Sequence, residues 1–169
     1  MHALSKVFFF FGLLVLSLPG RAASAAFDSD FDEKPWTEIE VQQFPAFPDE
    51  GDLIPFKVGV VFDKQFFIDK KSISLGSDDV IRYSLVVVSS SGAQNISYEG
   101  MRCATAERRL YALGQGDKTW SKVRSSKWIK LQGGSNNHHI VLYTDYFCVG
   151  GMLAFGGVED VVRVLRYGR

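Results

Sequence analysis

The chain has 169 residues, and its 19 basic side chains balance its 19 acidic ones. A domain that binds nucleic acid is normally strongly basic, so this balance argues against a nucleic-acid partner. The length is close to that of one common domain, and 14% of the residues are aromatic, which is enough to fill one core. We therefore expect one folded domain in addition to any targeting segment.

Residues 1–25 have the order of a secretory signal peptide. Lys6 precedes an apolar run over residues 7–18, and small residues follow at Ala23-Ser24-Ala25. A signal peptide needs an apolar core of about 7–15 residues, whereas a spanning helix needs about 20. We expect cleavage near Ala25, export to the periplasm and no transmembrane segment in the mature chain.

Residues 26–55 are predicted to form an acidic arm that lies over the domain. Nine acids and one base give residues 26–52 a net charge of −8, whereas residues 53–169 carry +6. The prolines of the arm fix φ and lack an N–H donor, so long regular elements are not expected there. Because opposite charges attract, we hypothesise that the arm folds onto a basic sheet and screens it.

Residues 56–169 are predicted to form a single α+β domain whose first strand covers residues 56–62. Hydrophobic residues recur there at every second position, which is the period of a half-buried strand. Further strands are expected at residues 66–75, 80–89, 94–104, 107–113 and 120–131. The separating segments are rich in Gly, Asp and Ser, which suit tight turns. The pattern predicts an antiparallel meander of about five to six strands.

Two helices are expected after the strands, packed on one face of the sheet. The first has an apolar stripe made of Ile140, Tyr143, Tyr146 and Phe147. The second has Val158, Val161, Val162 and Leu165 at helical spacing, and Gly168 follows its end. Strands first and helices last indicate the α+β class.

Cys103 and Cys148 are an even pair in a chain that we expect to be exported. An oxidising compartment favours a disulfide between them. Closing a loop of about 46 residues would stabilise the fold by roughly 4 kcal/mol in the chain-entropy model. A catalytic or redox thiol is the alternative, but the sequence has no Cys-x-x-Cys motif.

Several short motifs, in order along the chain, resemble one known family. They are Asp32-Glu-Lys-Pro-Trp36, Pro45-Ala-Phe-Pro48, Leu53-Ile-Pro55, Tyr98-Glu-Gly-Met-Arg-Cys-Ala-Thr105, Thr119-Trp-Ser-Lys122 and Asp145-Tyr-Phe-Cys148. Over residues 32–168 the chain is similar to the exported bacterial proteins named after the cryptic neisserial protein. The resemblance implies a bacterial, periplasmic setting, and it carries over no catalytic residue.

One candidate binding surface combines five cationic residues with two tryptophans. Its members are Lys118, Trp120, Lys122, Arg124, Lys127, Trp128 and Lys130. Cations beside aromatic rings suit anionic polymers and stacked rings or sugars. On a strand the same residues would be an ordinary solvated face of an antiparallel sheet. We hypothesise a non-catalytic binding module whose partner is an anionic polymer, a cell-wall fragment or an envelope protein.

A periplasmic enzyme is the alternative function, and its polar site would lie near the disulfide. The candidate residues are Glu99, Arg102, His138, His139, Tyr143 and Asp145. General acid–base catalysis needs such groups within about 3 Å of a substrate, but an Arg–carboxylate pair that locks a helix to a sheet needs the same residue types. Adjacent histidines on a helix point about 100° apart, so we predict no metal site. No cofactor is expected.

Overall fold

The computed structural model describes residues 35–59, 63–134, 137–154 and 156–169. Within them an antiparallel sheet precedes two C-terminal helices, so the predicted α+β class and meander are confirmed. The predicted signal peptide lies outside the described residues, as does the arm before residue 35. No helix in the described ranges is long and apolar enough to span a membrane.

In the main sheet, strands that are neighbours in the sequence pair with each other. The strands are β1 (Leu53–Phe56), β2 (Lys64–Leu75), β3 (Val80–Ser89), β4 (Gln94–Arg102), β5 (Glu107–Gly114), β6 (Trp120–Lys122) and β7 (Ile129–Lys130). The order β1 to β6 follows the chain, and β7 pairs with β5 as well. Because β6 pairs with the C-terminal part of β5 and β7 with its N-terminal part, both lie on one edge of the sheet.

Two predicted strands differ from the observed ones by more than two residues. The strand predicted at residues 56–62 is instead β1, Leu53–Phe56; the chain leaves the sheet at residues 57–59, and residues 60–62 lie outside the described part. Pro55 lies within β1, where an edge strand tolerates the missing N–H. The single strand predicted at residues 120–131 is divided into β6 and β7 by a turn at residues 124–125.

The two faces of the sheet are covered by different parts of the chain. One face packs against the helices through Ile68, Ile81, Tyr83, Leu85 and Met101, all of which are buried. The other face packs against the arm through Tyr98, Tyr111 and Ala112. A register shift between β4 and β5 inserts Tyr111 as an extra residue. Gly100 leaves room for its ring, because a Cβ at Gly100 would lie 2.8 Å from a Tyr111 ring carbon.

The helical layer follows β7. It consists of α1 (His138–Val141), a π-helical turn (Leu142–Phe147), the hairpin β8 (Cys148–Val149) and β9 (Met152–Leu153), and α2 (Val158–Tyr167). The side chain of Asn137 caps α1 by accepting a hydrogen bond from the His139 N–H at 2.9 Å. The predicted Cys103–Cys148 disulfide is confirmed, and it ties the end of β4 to the end of the π-helical turn.

Candidate functional site

A cleft opens beside the start of α1, where the described helices leave part of their sheet face uncovered. The α2 helix packs on β1 and β2, and the π-helical turn packs on Tyr83 through Phe147. The cleft lies over the C-terminal part of β3, the first part of β4 and most of β5, and its volume is about 520 Å³. Apolar side chains form its floor: Phe66, Leu85, Val87, Leu110 and Leu113.

Glu99 and His139 form a buried hydrogen-bonded pair in the wall of the cleft. Glu99 is on β4, opposite Tyr83, and His139 is the second residue of α1. The His139 Nε2 and the Glu99 Oε2 are 2.7 Å apart, and the Ser97 hydroxyl donates to Oε1 at 2.7 Å. Burial by itself raises the pKa of Glu99, but the His139 and Ser97 hydrogen bonds outweigh it and lower the pKa below its usual value. The carboxylate is ionised and accepts from His139.

His138 lies beside this pair and is uncharged at neutral pH. Its ring stacks on Phe66 with the centroids 5.1 Å apart, and its centroid is 4.0 Å from that of His139. Burial, together with the charge of His139, lowers the pKa of His138 to about 4. His138 therefore contributes an aromatic, neutral wall to the cleft at pH 7.

Two cations line the cleft without a carboxylate partner in the described part of the chain. Arg108 is half-buried on β5, and Lys64 is exposed at the start of β2. Neither forms an ion pair or a side-chain hydrogen bond with another described residue. Both charges act on His138, because each of them lowers its pKa. The cleft thus combines an apolar floor with unpaired positive charge.

The opposite face of the sheet carries arm residues 35–47, and Glu38 is one of their polar anchors. Its carboxylate accepts hydrogen bonds from Arg109, from the Tyr111 hydroxyl at 2.6 Å and from the Trp128 indole at 3.0 Å. Burial and the Glu38 hydrogen bond raise the pKa of Tyr111 far above its usual value, so its hydroxyl remains a donor.

Asp78 and Arg82 form the second anchor of the arm. Arg82 donates to both carboxylate oxygens of Asp78, at 3.1 and 2.6 Å. The Ile39 N–H donates to Asp78 at 2.8 Å, and Arg82 donates to the Ile39 carbonyl at 2.9 Å. Burial alone raises the pKa of Asp78, but these hydrogen bonds lower it below its usual value. Nearby, the Arg102 guanidinium lies 4.0 Å from the centre of the Trp36 ring.

The predicted basic-aromatic surface is separated into exposed cations and covered tryptophans. Trp120 packs on Phe44 and Phe47 and donates to the Pro45 carbonyl at 2.9 Å. Trp128 packs edge-on against Trp36. The five cationic side chains remain exposed: Lys118, Lys122, Arg124, Lys127 and Lys130. Among described residues, Lys130 alone of the five forms an ion pair, with Glu107 at 3.8 Å.

The described part of the arm lies on the sheet, but Glu38 and Asp52 pair with cations outside the basic surface. Glu38 pairs with Arg109 and Asp52 pairs with Lys70 and Lys71, so the described arm forms no ion pair with the exposed lysines of the basic surface. The arm therefore covers the tryptophans and leaves the charge beside them accessible.

The residues of the predicted polar site lie in four different places. Glu99, His138 and His139 line the cleft. Arg102 lies on the arm side of the sheet, and the Tyr143 hydroxyl donates to the Cys103 carbonyl at 3.2 Å. Asp145 is exposed and accepts from Thr144. The structure thus does not assemble the six residues into one cluster beside the disulfide.

Sequence reasoning missed Ser97, Arg108 and Lys64 in the cleft, and Asp78 and Arg82 in the anchor. Ser97 and Glu99 lie two residues apart on one strand and share a face, which is the one signal that pointed to their pairing. Arg108 joins them only because Met101 pairs with it across β4 and β5. In the described ranges, no group of three or more His, Cys, Asp or Glu side chains is placed to hold a metal ion.

Comparison with known families finds a match over most of the chain. The model described as the CNP1-like family matches residues 31–166, in agreement with the motifs that the sequence carries. No curated protein and no solved structure matches the chain.

Proposed function

We propose that this chain, which belongs to the CNP1-like family, is an exported bacterial binding protein that holds a small ligand in the cleft and catalyses no reaction. Export to the periplasm is supported by the signal-peptide pattern of residues 1–25. It is also supported by the Cys103–Cys148 disulfide, since disulfides persist in oxidising compartments.

The cleft is the observation that carries the proposed binding function. Ligand sites are usually concave, have volumes of about 300–1,000 Å³, and combine apolar walls with a few polar groups that fix orientation. The cleft of about 520 Å³ has an apolar floor, and Glu99, Arg108 and His139 converge on it. We therefore place the ligand site there rather than on the covered tryptophans.

The polar network in the cleft favours binding over catalysis. A serine nucleophile needs its hydroxyl hydrogen-bonded to a base such as histidine. Here the Ser97 hydroxyl donates to Glu99, and His139 contacts the same carboxylate. Both side chains are held by one buried acid, which fixes the start of α1 on β4. A periplasmic enzyme remains the alternative, and turnover of a bound compound would support it.

A paired substitution tests the cleft. We expect a panel of small metabolites and cell-wall fragments to contain a compound that raises the melting temperature of the mature protein purified from the periplasm of an expressing bacterium. Leu113→Arg, at the cleft, should abolish that rise. Val149→Arg is the matched control, because Val149 is 52% exposed outside the cleft and Leu113 is 45% exposed within it. Equal binding by both variants would contradict the proposal.

The exposed cations of the Lys118–Lys130 segment support a second candidate, which is contact with an anionic polymer, a cell-wall fragment or an acidic envelope protein. Five such side chains are exposed along one edge of the sheet. Contact there would be electrostatic, so it should weaken as salt rises. Lys122→Glu with Arg124→Glu should abolish polyanion binding and leave the cleft ligand bound. Polyanion binding that persists in this variant would exclude this surface.

A further inference from the structure

We propose that the ligand of the cleft is a small amphipathic anion, namely a carboxylate head that Arg108 binds and an aliphatic tail that lies on the apolar floor. This inference rests on the proposed function, because it specifies the chemistry of the same site. It names a specificity residue, Arg108, and the chemical class of ligand that the cleft selects.

The charges around the cleft select an anion. The Glu99 carboxylate is already hydrogen-bonded within the protein, to Ser97 at one oxygen and to His139 and Tyr83 at the other. His138 is neutral at pH 7. The charges that remain unpaired among the described lining residues are those of Arg108 and Lys64, and both are positive.

Arg108 is better placed than Lys64 to bind the head group. A guanidinium presents a planar fork that matches a carboxylate through two parallel hydrogen bonds, whereas a lysine acts as a point charge. Arg108 is half-buried, so its attraction to an anion is less screened by water than that of the exposed Lys64. Lys64 at the mouth should mainly increase the rate at which an anion arrives.

The floor selects an aliphatic tail. Val87 and Leu110 are half-buried, and Leu113 is 45% exposed, so the described chain leaves apolar surface in contact with water beside the charged group. Covering such surface is favourable because it removes apolar area from water. A ligand with a charged head and an apolar tail satisfies Arg108 and the floor together, which neither a free inorganic anion nor a neutral hydrocarbon does.

Calorimetric titration of the mature protein purified from the periplasm tests the ligand class with four probes: octanoate, octylamine, octanol and butyrate. Octanoate should bind most tightly, octanol and butyrate at least about tenfold more weakly, and octylamine most weakly. Arg108→Gln should weaken octanoate binding by about tenfold to a hundredfold, the usual loss for one charged hydrogen-bonded contact, and should leave octanol binding unchanged. Arg124→Gln, at an exposed arginine outside the cleft, is the control and should change neither.

The outcomes separate this inference from the proposed function. If octylamine bound as tightly as octanoate, or if Arg108→Gln left octanoate binding unchanged, the anion class would be wrong even though Leu113→Arg still blocked binding in the cleft. If no probe or panel compound were sensitive to Leu113→Arg, the cleft would not be a ligand site and both would fail. Arg108→Lys, which keeps the charge but removes the fork, should retain part of the affinity, and this guards against an effect of Arg108→Gln on folding.

A second copy of the chain is the competing occupant of the cleft. Sedimentation of the protein at increasing concentration, with and without octanoate, distinguishes it. We expect a monomer under both conditions. A dimer that Leu113→Arg or octanoate dissociates would overturn the small-anion proposal, because the apolar floor would then be a subunit interface.

Discussion

The two faces of the sheet use charged residues in opposite ways. On the arm face, Glu38, Asp78 and Arg82 are buried or nearly so, and hydrogen bonds join the arm to the rest of the fold at each of them: Glu38 of the arm accepts from the sheet side, and Asp78 and Arg82 bond to Ile39 of the arm. On the cleft face, Glu99 and His139 satisfy each other, but Arg108 is accessible and has no acidic partner among the described residues.

This difference separates charges that stabilise the fold from charges that are available to a ligand. A buried ion pair that loses one partner leaves a costly uncompensated charge, so the arm face should respond to mutation through stability. Replacing a half-exposed cation that has no partner should cost little folding stability. Substitution of Arg108 should therefore change ligand binding rather than stability. The following predictions test that separation, beginning with the largest effect.

Asp78→Ala should destabilise the protein by about 3–5 kcal/mol, because it leaves the buried Arg82 guanidinium without its carboxylate. The side chains of Asp78 and Arg82 are only 1% and 7% exposed. Urea unfolding followed by circular dichroism measures the change. Asp160→Ala breaks the exposed Arg163–Asp160 pair and should cost less than about 0.5 kcal/mol. Similar costs for the two variants would mean that the Asp78 anchor is no more important than a surface pair.

Glu38→Gln should make the packing of the arm on the sheet less favourable by about 2 kcal/mol. The charged hydrogen bonds of Glu38 to Arg109, Tyr111 and Trp128 become neutral or are lost in this variant. The chain has three tryptophans, and all of them, Trp36, Trp120 and Trp128, lie where the arm meets the sheet.

Tryptophan fluorescence therefore reports release of the arm. The emission of Glu38→Gln should shift to longer wavelength at a lower urea concentration than the circular dichroism signal changes. Glu40→Gln is the matched control, because Glu40 is an exposed acid of the same arm. If the two variants released the arm at the same urea concentration, Glu38 would not be its anchor.

His138 should make the protein less stable in mild acid. Its pKa in the folded protein is about 4, below the usual value of about 6.5, so between these pH values the unfolded chain binds more protons than the folded one. The stability contribution is complete above about pH 6.5 and is lost as the pH falls toward 4. Because the ring is partly exposed, we expect a loss of only about 1–2 kcal/mol. His138→Gln should flatten this part of the pH profile of urea unfolding, and an unchanged slope would assign the dependence to other groups.

Much of the fold was predictable because strand and helix periods are local properties of the chain. The strands predicted at residues 80–89 and 107–113 agree with β3 and β5 to within one residue, and the helical spacing of Val161 and Leu165 placed both in the core. The extent of β1 was not predictable in this way. Phe56 and Val58 are both buried, as a strand would require, yet the chain leaves the sheet between them.

The candidate site was predictable only in part, because its members meet through register and docking. Residue type was sufficient to single out Glu99, His138 and His139. Arg108 reaches them through pairing across β4 and β5, where Tyr111 is an inserted residue that a one-dimensional pattern does not reveal. The residue types of the Lys118–Lys130 segment predicted that Trp120 and Trp128 belong to a binding surface, but the arm packs against both of them.

The sequence by itself determined the α+β class, the order of strands and helices, and the pairing of its two cysteines. These follow from residue spacing and from an even cysteine count, which are written along the chain. Only the tertiary structure decided which charges are satisfied: those beneath the arm are paired, and Arg108 in the cleft is not. The reason is physical. The free-energy cost of burying a charge, and the access of a ligand to it, depend on the residues that pack against it, and those residues come from distant parts of the chain.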